Sequence, residues 1–247
     1  MKVSFDATGE VVVITGGAQG IGAALAQAVN GCGGTAVVFD VTPPADGVEY
    51  VEVDVADRSA VAAAVDAVVQ RHGRINGLVA GAAVQPRSSV LDMDPAEWTR
   101  TLQVNLDGVV WTCQAVVPHL VAQQSGSVVV FTSGMAPTGY PGASAYAASK
   151  AALVAFAKSL AAEVADHRVR VNVVAPGVID TAQFRGANAG ADREHWRDTI
   201  GIGDPDDVVG PLLFLLSDAA AMTGSVLTRE RAFAKLTSFI ELPGVNE

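Results

Sequence analysis

Tyr146 and Lys150 stand four residues apart in Tyr146-Ala-Ala-Ser-Lys150, so on a helix they share one face. A phenol is a poor base at neutral pH, with an unperturbed pKa of about 10. Bringing it to about 7 takes roughly 4 kcal/mol of preference for the phenolate. One cation at ~4 Å supplies about that much at an effective dielectric of ~20. Lys150 is one such cation and a positively charged ring bound beside the phenol would be another, so the arithmetic predicts a proton-transfer centre that needs neither histidine nor metal. Ser133 lies thirteen residues before Tyr146, just past an apolar run. Its hydroxyl there predicts a donor that orients a substrate oxygen, where fixed dipoles help developing charge most. The four histidines, at 72, 119, 167 and 195, show no ligand spacing, and no metal site is expected. Taken singly these residues say little: Y-x-x-x-K arises by chance on helices, serine after a strand is common turn chemistry, and Asn105 by itself reads as a helix N-cap.

A second cluster gives the first its meaning. Thr15-Gly16-Gly17-Ala18-Gln19-Gly20-Ile21-Gly22 follows an apolar strand and opens an amphipathic helix. Glycines in that place permit a tight turn and close approach of backbone to a diphosphate, and the helix N-terminus offers free N–H groups. The strand–turn–helix context predicts a dinucleotide site. Asp40 ends the second strand, eighteen residues after Gly22. A carboxylate there accepts from both ribose hydroxyls and repels a 2′-phosphate. No arginine replaces Gln19 or directly follows Asp40, so NAD rather than NADP is the expected cofactor.

Elements that could position both clusters are legible from periodicity. Strands are predicted at 11–15, 35–40, 49–54, 77–80, 127–132, 169–175 and 225–228. Several are apolar throughout, as parallel strands covered on both faces are. Helices are predicted at 21–30, 59–72, 105–123, 146–164 and 206–216; in the second, Val61, Val65 and Val68 form an apolar stripe. The alternation predicts an α/β fold, one Rossmann-type doubly wound parallel sheet of about seven strands with helices on both faces, spanning residues 1–247 as a single domain. Ligands bind outside the carboxyl ends of such strands. Thr15, Asp40, Asp54, Ala80 and Ser133 all fall at or just past those ends.

Asn105, Ser133, Tyr146 and Lys150, at this spacing behind a G-x-x-x-G-x-G loop, resemble the short-chain dehydrogenase/reductase family along nearly the whole chain. The resemblance implies a catalytic set of those four residues, with Asn105 holding a water that links the lysine to solvent. It implies dinucleotide contacts from Gly16, Gln19, Gly20, Ile21, Gly22 and Asp40 at the phosphate and ribose end. Asp54 and Val55 would lie at the adenine, with Ala80, Gly81, Tyr146 and Lys150 further along. Pro176, Gly177, Ile179 and Thr181 would line the nicotinamide. Residues 182–203 would form a substrate lid, and helices 105–123 and 146–164 the contacts of a homotetramer or homodimer. Two departures stand out. Gly81 and Ala83 replace the Asn and Gly of the usual Asn-Ala-Gly, which removes an amide expected to tie the central strands. After Thr228 the chain reads Arg229-Glu230-Arg231-Ala232 where Val-Asp-Gly-Gly is common.

Bulk properties narrow the partners. The net charge of −10 disfavours a nucleic-acid backbone, which calls for a basic face. Cys32 and Cys113 are too few to staple a chain of 247 residues, so free thiols are expected. The first apolar run, 11–14, is too short for a signal-peptide core or a membrane span, and a cytoplasmic protein follows. The expected partner is a small alcohol or ketone, mainly apolar given Met135, Tyr140, Pro141, Phe184, Trp196 and Ile202. Arg185, Arg193 and Arg197 sit among acids and are expected to be self-compensated. Two other functions remain open: a 3-oxoacyl-thioester reductase, and a non-catalytic NAD-binding regulatory protein.

Overall fold

Val11–Thr15 is apolar on both faces and becomes β1, with Val11 and Val13 facing one layer of helices and Val12 and Ile14 the other. The computed structural model describes residues 3–45, 47–188 and 191–229. Around β1 the strands β2 (Thr35–Asp40), β3 (Glu49–Glu52), β4 (Gly77–Ala80), β5 (Gly126–Phe131), β6 (Val169–Ala175) and β7 (Val226–Thr228) form one parallel sheet. Its order is β3-β2-β1-β4-β5-β6-β7. The order reverses between β1 and β4, the crevice at which doubly wound sheets bind ligands.

Helices α1 (Gly20–Gly31), α2 (Arg58–His72), α3 (Pro95–Leu102), α4 (Gly108–Gln123), α5 (Met135–Thr138), α6 (Ser144–Val164), α7 (Ala182–Ala187), α8 (Ala191–Thr199) and α9 (Asp206–Leu216) complete the described chain. One face of the sheet buries Val13, Phe39, Leu78 and Val130 with residues of α2, α4 and α6. The other buries Ile14, Val38, Val79 and Val129 with α1 and α9. The predicted stripe Val61, Val65 and Val68 is wholly inside, worth about 1.5–3 kcal/mol for each valine.

The structure corrects several boundaries. β3 stops at Glu52, so Asp54 lies beyond the strand. The helix capped near Ser59 takes its cap from Asp57, whose carboxylate accepts from the N–H groups of Ser59 and Ala60, not from Asp54. Asn105 does not begin a helix. It sits inside a continuous helical run in which α3 passes through a π-helical turn, Gln103–Asp107, into α4. α3 escaped periodicity because Thr101 is its one buried residue; Asp94 caps it and Pro95 starts it. Within 182–203, which offered no regular pattern, Ala182–Ala187 forms α7 and Ala191–Thr199 forms α8, with Thr181 accepting from the Phe184 N–H at the start of α7. The tail from Glu230 onward lies outside the described residues.

Candidate functional site

The glycine loop and the turn after β4 are pressed together at the carboxyl edge of the sheet. Gly16 has φ +71°, and a Cβ on it would lie 2.7 Å from Ala82 Cα. A Cβ on Gly81 would lie 2.9 Å from the Thr15 carbonyl oxygen. With Gly81 in place of an asparagine, the edge keeps its backbone ties. The Gly81 N–H reaches the Thr15 carbonyl and hydroxyl oxygens at 3.1 Å each, and the Ala82 N–H reaches the hydroxyl at 3.2 Å.

Beside this edge opens a cavity of about 410 Å³. It is lined by Gly16, Gln19, Gly20, Ile21 and Gly22, by Asp40, Asp54, Val55 and Gly81, and by Pro176, Gly177, Ile179 and Thr181. Ser133, Tyr146 and Lys150 line the same space. Of the dinucleotide residues expected from sequence only Ala80 is absent from the walls. It is 1% exposed within β4, paired in register with Thr15 and Val130, so its side chain belongs to the core.

The residues present fit a dinucleotide. Gln19 precedes α1 without a side-chain cap, so the first N–H groups of that helix keep their capacity for an anion. Asp40 is braced from both sides, one oxygen accepting from the Ala18 N–H at 3.0 Å and the other from Thr42 N–H and hydroxyl at 3.2 Å. The Asp54 carboxylate takes the Ala56 N–H at 3.0 Å and Arg100 Nη2 at 2.8 Å. Burial alone would raise its pKa, but those two contacts outweigh it and hold the carboxyl below its ordinary value.

At the other end α6 presents Tyr146 and, one turn on, Lys150. Two bonds fix this helix to the end of β5: the Thr132 hydroxyl donates to the Lys150 carbonyl at 2.7 Å, and Lys150 Nζ donates to the Phe131 carbonyl at 2.9 Å. Lys150 is 2% exposed, and desolvation lowers its pKa to about 8. Its Nζ lies 5.9 Å from the centre of the Tyr146 ring. Burial pushes the Tyr146 phenol above its ordinary pKa, partly offset by a hydrogen bond with Ser133 and the positive charge of Arg87. Lys150 Nζ donates to a backbone carbonyl, and with no second positive charge beside the phenol desolvation dominates.

Asn105 is fully buried and lies outside the cavity wall. Its amide oxygen accepts from the Val84 N–H at 2.8 Å, while Nδ2 donates to the Val84 carbonyl at 2.9 Å and to Ser149 Oγ at 3.2 Å. Both amide hydrogens are committed, so the side chain acts as a strap between the π turn, the segment after β4 and α6. Single π turns concentrate at functional sites, and this one aims Asn105 at the segment bounding the cavity.

Sequence reasoning missed Arg87 and Asn188. Arg87 donates from Nε to the Ala187 carbonyl at 3.2 Å and from Nη2 to Asn188 Oδ1 at 2.7 Å, and stacks 4.7 Å above the Tyr140 ring. It occupies a stretch without hydrophobic period, so no local pattern could bring it near Tyr146. Two of the three arginines expected to be self-compensated are paired, though with another acid: Asp180 lies 3.4 Å from Arg185 and 3.2 Å from Arg193. Among the described residues no helix is long and apolar enough to cross a membrane.

Comparison with known proteins agrees with this geometry. Residues 16–230 match the family model described as Enoyl-(Acyl carrier protein) reductase. The 3-oxoacyl-(acyl-carrier-protein) reductase of Thermotoga maritima is 35% identical, over 89% of this chain and 95% of its own. The cis-4-hydroxycyclohexanecarboxylate dehydrogenase of Sinomonas cyclohexanicum is 34% identical, over 88% and 93%. The crystal structure of a Burkholderia cenocepacia gluconate 5-dehydrogenase, in complex with NADP and tartrate, superposes with a TM-score of 0.85 at 29% identity, over 91% of this chain and 94% of its own. A parallel sheet, a glycine-edged cleft and this sequence kinship together make the chain a member of the short-chain dehydrogenase/reductase family of nicotinamide-dependent oxidoreductases.

Proposed function

We propose that the protein is an NAD-dependent oxidoreductase interconverting a secondary alcohol and a ketone, with Tyr146 as acid and base. The observation that carries this reading is the shared cavity, in which Ser133, Tyr146 and Lys150 face the same space as the glycine loop and Asp40. A bound NAD would supply the hydride acceptor and, when oxidised, a second positive charge beside the phenol. Tyr146 removes the substrate hydroxyl proton during oxidation and returns it during reduction. Ser133, on the same cavity wall as Tyr146, orients the substrate oxygen. Lys150, with a pKa of about 8, can hold and release a proton near neutrality. Asn105 acts as a positioning residue through Val84 and Ser149.

Asp40 supports NAD over NADP because its braced carboxylate opposes a 2′-phosphate. Met135, Val178 and Phe184 line the substrate end and suit an apolar frame. Residues 1–247 form a single dinucleotide-binding and catalytic domain in this proposal, with residues 182–203 as its substrate lid. A cytoplasmic setting and a homotetramer or homodimer built on α4 and α6 belong to the same proposal. A second reading, reduction of a 3-oxoacyl thioester, is favoured by the Thermotoga maritima relative and opposed by Asp40.

The test is NADH formation with a panel of secondary alcohols, in native enzyme and Tyr146→Phe. Native turnover is expected, with a loss of about 10³-fold or more in the variant and NAD affinity within about threefold of native. Substantial residual activity in Tyr146→Phe removes the mechanism. No turnover despite tight NAD binding points instead to a regulatory NAD-binding protein.

A further inference from the structure

The chain carries 26 acidic residues against 16 lysines and arginines, so a basic group close to the reaction centre without an acidic partner is unexpected. Arg87 is that group. Its charge is felt at the Tyr146 phenol, yet among the described residues its hydrogen bonds go only to the Ala187 carbonyl and the Asn188 amide oxygen. Nη1 is buried and has no hydrogen-bond partner among the described residues. An enclosed guanidinium donor left unsatisfied is costly, and its planar fork matches a carboxylate.

A second donor converges on the same point. Trp196 Nε1 reaches Asn188 Oδ1 at 3.3 Å, and Arg87 Nη2 reaches that oxygen at 2.7 Å. One neutral amide oxygen is thus the meeting place of two N–H donors, with the idle Nη1 on the same guanidinium. Asn188 and Trp196 line the cavity that Tyr146 and Ser133 face; Arg87 lies behind them. Tyr140, 4.7 Å from the guanidinium and 5.3 Å from the Trp196 ring, walls the cluster with aromatic surface.

We propose that Arg87 and the Trp196 indole N–H form a receptor for a carboxylate carried by the substrate, whose oxygen takes the place of Asn188 Oδ1. The protein is then a dehydrogenase of hydroxy acids or a reductase of oxo acids, an inference that rests on the oxidoreductase reading above. Arg185 and Arg193 cannot serve in this way, because Asp180 holds both. Substrate binding shifts Asn188, at the end of α7, and draws the arm of α7 and α8 onto the anion.

Benzoate and its neutral isostere benzamide test this without turnover, titrated calorimetrically into the full chain with and without NAD. Native protein is expected to bind benzoate ~30-fold more tightly than benzamide, the scale of a charge-assisted pair. Arg87→Gln is expected to bring the ratio near one, and Arg87→Lys to leave an intermediate value because the fork is lost. Equal binding of the two probes by native protein, no binding of benzoate, or a ratio that survives Arg87→Gln overturns the receptor. Should Arg87→Gln fail to fold by circular dichroism, an Arg87→Lys ratio equal to native overturns it instead. The alcohol panel reads the other claim separately: carboxylate selectivity without turnover defeats the dehydrogenase and keeps the receptor, and turnover without selectivity does the reverse.

Discussion

Lys150 shows how far a functional side chain sits from its comfortable state. It is buried with one carbonyl as acceptor, and desolvation lowers its pKa from 10.5 to about 8. Between those values the unfolded chain holds a proton that the folded chain has released. Stability therefore rises with pH from about 8 to 10.5, and the full penalty is present below that window. The expected outcome is a stability gain on the order of 2–3 kcal/mol across the window, read from urea midpoints of native protein minus Lys150→Met. A flat difference curve would show that the ammonium is not penalised. Tyr146 is penalised in the opposite sense, its phenol driven toward the neutral form. Both groups are held in states that become useful only when further charge reaches the cavity.

At the scale of elements, the site depends on ties between strand ends. The Thr15 hydroxyl accepts two N–H groups from the turn after β4. Thr15→Val is expected to cost about 1–3 kcal/mol by orphaning the Ala82 N–H, seen as a lower urea midpoint, with Thr15→Ser close to native. A Val variant as stable as native would mean that packing, not the hydroxyl, holds the edge. This tie also marks what the sequence could and could not disclose. The strands and main helices were legible because their apolar periods are strong, and the proposed catalytic trio Ser133, Tyr146 and Lys150 because its spacing is fixed by one strand and one helix. Thr15's second role was not legible, since its partners are 66 and 67 positions away. Nor was α3, which buries too little to leave a stripe, nor the π turn, which no period marks. Arg87 and Asn188 meet across 101 positions and leave no local trace. At Ala80 a strand end suggests a site, and the pleat turns the side chain into the core.

For the whole molecule, the cavity joins the first turn of the chain to segments beyond residue 175, so a ligand there bridges both halves of the sheet. Saturation at a hundred times its dissociation constant stabilises the folded state by about 2.7 kcal/mol. For a chain of this size that corresponds to a thermal midpoint raised by roughly 5–10 °C. NAD is expected to give this shift and NADP much less, with Asp40→Ala narrowing the gap. A larger shift with NADP in the native protein would reverse the cofactor assignment.

The pairing of Asp180 with Arg185 and Arg193 has a consequence for how such measurements behave. These contacts are partly open to water, each is worth at most about 1 kcal/mol, and mobile ions weaken them. Asp180 directly follows the turn beside Ile179, whereas the arginines ride on α7 and α8. If α7 and α8 form the proposed lid, they are moored by a brine-sensitive clasp, and raising the salt concentration is expected to loosen it.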